Sequence, residues 1–289
     1  MKYIKIIGLV ILFYILMKLN YRSIFAILKD VNIFYLLLFV ISWYIYLVAK
    51  VYRWHTVENY FCKPLNFKQN GWIFIETFYL GFVTPARTGD IMKVWILHKE
   101  FNIPKSRGFL AYFFDRIQDL IFLSIFALYG IVFVFKIKIS YFFYLFILAL
   151  FFIYIFKNTL LRLVGKKFEL LKDLKVDRSF EGKLFVINII AFFFYFLQFH
   201  LLSKSLHLNI NYNFIVALLS ISAIASLLPV SISGLGIREG IFIYLFKSIN
   251  ISKEYAVTLS LLDNIFFMAL FAILLYLFNT LYLRKRIFA

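Results

Sequence analysis

Two short stretches of this 289-residue chain place charge where the sequence otherwise reads as hydrocarbon. The first, Phe82-Val-Thr-Pro-Ala-Arg-Thr-Gly-Asp90, carries Arg87 and Asp90, with Lys93 one turn further on. The second, Leu228-Pro-Val-Ser-Ile-Ser-Gly-Leu-Gly-Ile-Arg-Glu-Gly240, carries Arg238 and Glu239. Asp115, Arg116 and Asp119 follow the first stretch, and Asp263 and Asn264 follow the second. Asp115 and Asp119 are four apart, so a helix presents both on one face. A charged residue at the bilayer centre costs about 2.5–3.5 kcal/mol on insertion scales, which makes each a functional-site candidate by default. Arginine forks beside the unpaired N–H groups of helix N-termini suit a phosphate. Arg87 and Arg238 are therefore expected to bind a phosphate, with Asp90, Lys93, Asp115, Arg116, Asp119, Glu239 and Asp263 completing the substrate site. The carboxylates would orient the arginines or take up protons. The alternative is a set of structural ion pairs stapling the helices, and pairing across the two halves of the chain would neutralise most of the charge.

Other chemistries are disfavoured. His55, His98, His200 and His207 are scattered without ligand spacing, so no metal site is expected. Cys62 is the sole cysteine, which rules out an intrachain disulfide. No Ser–His–Asp order and no Walker-type loop is present, which excludes an ATP-driven pump acting alone, and no cofactor is implied. Glu76 is read as a hairpin contact or part of a cavity.

These residues need a membrane-embedded frame. The chain is 64% hydrophobic and only 16% charged, with a mean hydropathy of +0.89, too few charges to solvate a globule of this size. Apolar runs of bilayer length recur from end to end, and their continuity argues for helices rather than for the alternating strands of a barrel. The expected class is an all-α polytopic membrane protein. The net charge of +18 sits mostly between the apolar blocks, where it sets topology and favours anionic head groups, so nucleic acid is not an expected partner. The 39 Phe and 20 Tyr read as lipid-facing and interfacial-belt residues.

Six blocks read as full spans: 3–19, 31–50, 110–135, 139–156, 184–203 and 255–282. The first resembles a signal peptide but lacks a small-residue cleavage site, and it reads as a retained span. The blocks 70–97 and 212–247 are each interrupted, by Pro85 and Gly89 in one and by Pro229, Gly234 and Gly236 in the other. Proline lacks an N–H and glycine disfavours helix continuation, so both helices break there. The arms are short for crossing, which predicts two re-entrant helical hairpins. The basic segment 157–183, read as a solvated helix, the stretch after the first break and the basic C-terminus place both termini in the cytoplasm, whereas the basic loop at 19–30 counts the other way.

An internal repeat supports this layout. Residues 101–117 align without gaps to 249–265 at an offset of 148, matching Asn, Ile, Lys, Asp and Ile. A broken block precedes each copy, so the chain divides into halves 1–138 and 139–289, oppositely oriented because an odd number of crossings separates the copies. Inverted repeats with paired broken helices are a recurrent transporter pattern, with the site where the breaks meet.

Gly81-x3-Pro85-x-Arg87-x-Gly89-Asp90-x2-Lys93, then Asp115-Arg116-x2-Asp119, then Pro229-x4-Gly234-Leu-Gly236-x-Arg238-Glu239 resembles the lysylphosphatidylglycerol synthase transmembrane-region family, also known as UPF0104 membrane proteins. The resemblance covers nearly the whole chain, and Gly-Leu-Gly-x-Arg-Glu is its most specific part. It implies a stand-alone, flippase-like translocase of a lipid with an anionic head group, in the cell membrane, with a lipid-modifying enzyme as candidate partner. Without an attached aminoacyl-transferase domain, the chain is not expected to make lysylphosphatidylglycerol itself. The family often has Glu at the positions of Asp90 and Asp115, Arg at that of Lys93, and Arg where Asp263-Asn264 stand, so substrate identity does not carry over. A polyprenyl-diphosphate phosphatase is the rival reading, because Pro85-Ala-Arg87-Thr88-Gly89 is similar to a loop of that family. Such chemistry needs a carboxylate-rich partner segment that Glu76 alone supplies poorly. A non-transporting scaffold for a membrane glycosyltransferase is a third.

Overall fold

The computed structural model describes residues 7–84, 87–135, 177–227, 231, 234–264 and 270–278, and no strand occurs among them. Pro85, Pro229, the expected span 139–156 and residues 157–176 of the basic segment lie outside the described residues.

The first expected span is the short helix α1 (Ile7–Met17), followed by a second helix, α2 (Tyr21–Lys29), bent 87° away from it. The side chain of Asn20 accepts from the backbone N–H groups of Arg22 and Ser23, so the chain starts a new helix instead of extending the old one. The stretch read as a basic loop is thus an amphipathic helix. It buries Ile27 and leaves Tyr21 and Phe25 exposed.

Helix α3 (Ile33–Phe61) begins at an Asn32 cap and corrects the expected span of 31–50. Its buried face runs on through Leu47, Val51, Trp54 and Phe61 at helical spacing, so burial of that face carries the helix past the charges at positions 50, 53 and 58. Helix α4 (Phe67–Val83) starts with a reciprocal cap: Asn66 Oδ1 accepts from the Gln69 N–H at 2.8 Å and Gln69 Oε1 from the Asn66 N–H at 3.0 Å. After the first break come a 3₁₀ turn (Thr88–Ile91), α5 (Met92–Phe101) and α6 (Lys105–Tyr129), which widens into a π turn at Gly130–Val134. The second half of the chain supplies α7 (Arg178–Ser205), α8 (Tyr212–Ser226), α9 (Ile237–Lys247), α10 (Lys253–Leu261) and α11 (Leu270–Phe278). Among the described residues, α3, α6 with its π turn, and α7 are long and apolar enough to cross a membrane, and α1 with α2 make a fourth if the bent pair counts as one span.

Helices α3 and α7 form the most extensive interface and join two apolar clusters. One packs Trp43, Trp54, Trp72, Leu97 and Leu184, the other Phe39, Phe122, Phe192, Phe199 and Phe242. Phe122 and Phe192 stack at 5.4 Å, and Phe199 meets Phe242 edge-on at 5.5 Å, geometries that add to simple burial. Many phenylalanines are therefore core rather than lipid-facing: close packing, not hydrophobic driving force, holds helices together in lipid, and flat rings fill those contacts.

One matched pair of the aligned segments shares a backbone conformation. Asn102 and Asn250, 148 positions apart, both adopt the left-handed conformation, with φ of 54° and 58°. Each follows the helix after its break, and there the N–H of Ile103 bonds to the Leu97 carbonyl and that of Ile251 to the Phe246 carbonyl, both at 3.1 Å. Asparagine tolerates this helix-ending geometry better than other non-glycine residues. Asn102→Ala and Asn250→Ala are each expected to lower stability by about 1 kcal/mol, and the glycine variants to leave it nearly unchanged, as read by thermal unfolding in detergent.

Candidate functional site

The two breaks converge on a cavity of about 380 Å³. Helix α3 contributes Tyr46 and Lys50, the first break Arg87, α6 Arg116 and Asp119, α7 Tyr195, α8 Ser222 and Ser226, and α9 Arg238, with Asn264 beyond α10. Its apolar lining is made by Phe113, Ile117, Leu120, Leu123, Phe192 and Leu227. A second space of about 20 Å³, lined by Thr77, Asp90 and Lys93 among others, shares Tyr46, Lys50, Arg87 and Arg116 with the first. It is large enough for about one water.

Behind the polar wall lies a fully buried hub, Arg53. Its Nε donates to Asp115 Oδ1 at 2.8 Å and its Nη1 to Asp119 Oδ1 at 2.6 Å. Nη1 also reaches Asn188 Oδ1 on α7 at 2.9 Å, while Nη2 reaches the Asp115 carbonyl at 3.2 Å. Asn188 in turn donates to Gln118 at 3.1 Å. The fork geometry of one guanidinium thus ties α3, α6 and α7 together. Lys50 Nζ lies 2.5 Å from Asp119, and Arg116 bridges Asp115 at 2.7 Å, Asp90 at 3.0 Å and Asp119 at 3.5 Å. Lys93 is buried 3.7 Å from Asp115, with its ammonium over the rings of Trp54 and Phe74 at 4.4 and 4.6 Å, an attraction strengthened by desolvation.

The second half is simpler. Arg238 pairs with Asp263, lies over the Phe242 ring at 5.1 Å and keeps a buried Nε without a partner. Glu239 accepts from the Gly236 N–H at 2.6 Å and from Ser260 Oγ at 2.7 Å, so it caps α9 and does not line the cavity. Gly234 and Gly236 hold φ of 80° and 85°, which L side chains avoid. At the first break the Thr84 hydroxyl accepts from the Gly89 N–H at 2.7 Å, and a Cβ at Gly89 would run into the Leu80 carbonyl. Gly89→Ala is expected to push the break off α4 and to cost about 1–3 kcal/mol, measured as a fall in unfolding midpoint.

The predicted residues thus separate. Arg87, Arg116, Asp119 and Arg238 face the cavity, Asp90 and Lys93 line the water-sized space behind it, and Asp115 and Asp263 are buried counter-ions. Pairing across the halves is not what the charges do: among the described residues Asp115 and Asp119 meet cations of α3, α5 and α6, and Asp263 meets Arg238. The reason is proximity, since α3 and α5 bring Lys50, Arg53 and Lys93 onto α6, and α9 brings Arg238 to Asp263. Among the described residues, Asn188 links the halves here by hydrogen bonds to Arg53 and Gln118. Sequence reasoning missed Lys50, Arg53, Asn188, Gln118 and Tyr46. Lys50 and Arg53 carried a signal, three apart on the buried stripe of α3, whereas a single Asn or Gln in an apolar helix carries almost none.

Arg87 differs from every other cation of the cluster. Its backbone is left-handed, φ 55°, and its guanidinium lies over the Phe78 ring at 5.6 Å. Among the described residues it has no carboxylate within salt-bridge distance. Among the described residues, four cations and one carboxylate line the cavity, and that carboxylate, Asp119, is already held by Lys50 and Arg53. The site can attract an anion and has an apolar wall for the rest of the molecule carrying it. Among the described residues no trio of His, Cys, Asp or Glu is arranged to hold a metal ion.

Long apolar helices joined by two charged, Gly-broken turns around one cavity define an integral membrane protein of all-helical architecture. The chain belongs to the family described as the lysylphosphatidylglycerol synthase TM region, whose model matches residues 4–275. It is also similar to the UPF0104 membrane protein MJ1078 of Methanocaldococcus jannaschii, with 26% identity across 62% of this chain and 83% of that protein. No solved structure matches.

Proposed function

We propose that this protein is a lipid translocase, moving a phospholipid or lipid-linked anionic head group between leaflets through the cavity between its two breaks. The observation that carries the reading is Arg87: an arginine at a helix break, facing the cavity, with no carboxylate partner among the described residues. Fork-shaped, permanently charged and weakly hydrated, it suits a phosphate, and Arg238 approaches the same space from the other half. The neighbouring apolar wall suits an acyl or prenyl chain.

In this reading α4–α5 and α8–α9 are re-entrant hairpins, the chain makes six crossings, and the halves 1–138 and 139–289 are inverted about the cavity. Both termini lie in the cytoplasm of a cell whose plasma membrane holds the protein. The basic segments support that orientation, and non-helical backbone at membrane depth is tolerable where it lines a cavity. The head group comes from a separate lipid-modifying enzyme. The protein acts without a cofactor and is not itself an enzyme: the phosphatase alternative needs a free carboxylate at the site, and Asp119 is neutralised by two cations. The test is leaflet exchange of a labelled anionic phospholipid in vesicles containing purified protein. Wild type is expected to exchange it and Arg87→Ala to lose that activity; equal rates in the two would overturn the site, and release of phosphate from a polyprenyl diphosphate would favour the enzyme.

A further inference from the structure

Every aspartate of the cavity cluster meets an arginine or lysine, whereas Glu58 does not. It is fully buried near the C-terminal end of α3. Its Oε2 accepts from Asn70 Nδ2 at 2.9 Å, while its Oε1 is buried with no donor. Among the described residues no Lys, Arg or His stands within ion-pair distance of it. Asn70, also fully buried, lies in the first turn of α4, and its Nδ2 reaches His55 Nδ1 at 3.0 Å. Its own Oδ1 again has no partner.

An ionised carboxylate in this setting would lack both water and a counter-ion, a condition that buried acids escape by binding a proton. The amide of Asn70 accommodates either form, because its oxygen and nitrogen ends exchange by a half-turn. Turned one way the NH₂ donates to the carboxylate, and turned the other way Oδ1 accepts the acid O–H. We propose that Glu58 is a proton-binding site whose occupancy is linked through Asn70 to the packing of α4 against α3.

The surroundings fit that role. His55, partly exposed on the same helix, bonds to Asn70 and to Asn59. Cys62, after α3, and Arg107, at the start of α6, are the nearby titratable and charged groups on that side. Lys183 of α7 acts on His55. None of these neutralises Glu58. When the proton leaves for water, the carboxylate keeps the Asn70 N–H but has no counter-ion, and water entering between α3 and α4 would solvate it, so deprotonation favours separation of the two helices. Helix α4 is the upstream arm of the first break, the break that presents Arg87 to the cavity. If the translocation reading of the previous section holds, this linkage makes lipid movement proton-coupled.

The experiment is infrared spectroscopy of wild type and Glu58→Gln, combined with spin-label distances between α3 and α4. At neutral pH the wild type is expected to show the carbonyl stretch of a protonated carboxylic acid, absent from Glu58→Gln. Raising the pH should remove that band and lengthen the α3–α4 distance in wild type only. Identical spectra for the two proteins would overturn the proposal, as would an α3–α4 distance that moves equally with pH in both. If Glu58→Gln does not fold, carboxyl-labelled glutamate in the wild type decides by NMR: an acid-form signal supports the site and its absence overturns it. A site that responds to sodium but shows no acid band is a cation site, which also overturns it. Vesicle assays separate the two readings: an acid band without leaflet exchange removes translocation and leaves the proton site standing. With both present, an imposed pH gradient should change the exchange rate several-fold in wild type and not in Glu58→Gln.

Discussion

Arg53→Met is expected to lower the stability of the protein by about 3–5 kcal/mol, the range for removing one partner of a buried ion pair. The loss comes less from the missing attraction than from what remains. Asp115 is fully buried and would keep only Arg116 at 2.7 Å and Lys93 at 3.7 Å. Asp119 would keep Lys50 and a 3.5 Å contact to Arg116, and Asn188 Oδ1 would lose its donor. Methionine replaces the apolar stem of arginine but is shorter and satisfies none of these groups. With total stabilities near 5–15 kcal/mol for folded domains generally, such a loss should show as low yield and early unfolding in detergent. Arg53→Lys is expected to recover only part of it, because a single ammonium cannot address α6 and α7 together. A single Arg53→Met variant with wild-type unfolding behaviour would show that the hub is not holding these helices.

Arg87→Ala has the opposite signature. Arginine and alanine pay a similar penalty for the left-handed backbone at this position, and no carboxylate is orphaned by the change, so stability should stay within about 0.5 kcal/mol. Leaflet exchange, in contrast, should fall at least ~30-fold, corresponding to about 2 kcal/mol for losing one partner of a desolvated charge pair. Arg87→Lys keeps the charge and loses the fork, and an intermediate rate is expected. The pair of experiments separates architecture from function: Arg53 is expected to hold helices and Arg87 to meet cargo. An Arg87→Ala protein that unfolds like Arg53→Met would place both in the same structural network and take the phosphate role from Arg87.

Much of the candidate site was readable in the chain. The Arg87–Asp90 and Arg238–Glu239 stretches stood out because charge and glycine are conspicuous in apolar sequence, and four of the residues chosen there or on α6 do line the cavity. The spacing of Asp115 and Asp119 placed them on one face, and both meet Arg53. The offset between Asn102 and Asn250 reappears as a shared left-handed backbone. These are local or periodic properties, which survive without knowledge of any partner.

Partners are what the sequence could not provide. Arg53 and Asp115 are 62 positions apart and Arg53 and Asn188 are 135 apart, so nothing in the neighbourhood of Arg53 identified it as a hub. It lies three residues past the expected span of 31–50, where the charges begin. Glu239 and Arg238 are adjacent and were read alike. The turn of α9 sends one to the Gly236 N–H and the other into the cavity. The sequence by itself determined a helical membrane protein with two charged breaks, since hydropathy, proline and glycine act through the backbone wherever the chain goes. Which charges neutralise each other, which cap a helix and which face the cavity was decided by tertiary packing alone, because a buried charge takes its role from the groups that packing brings within hydrogen-bond reach.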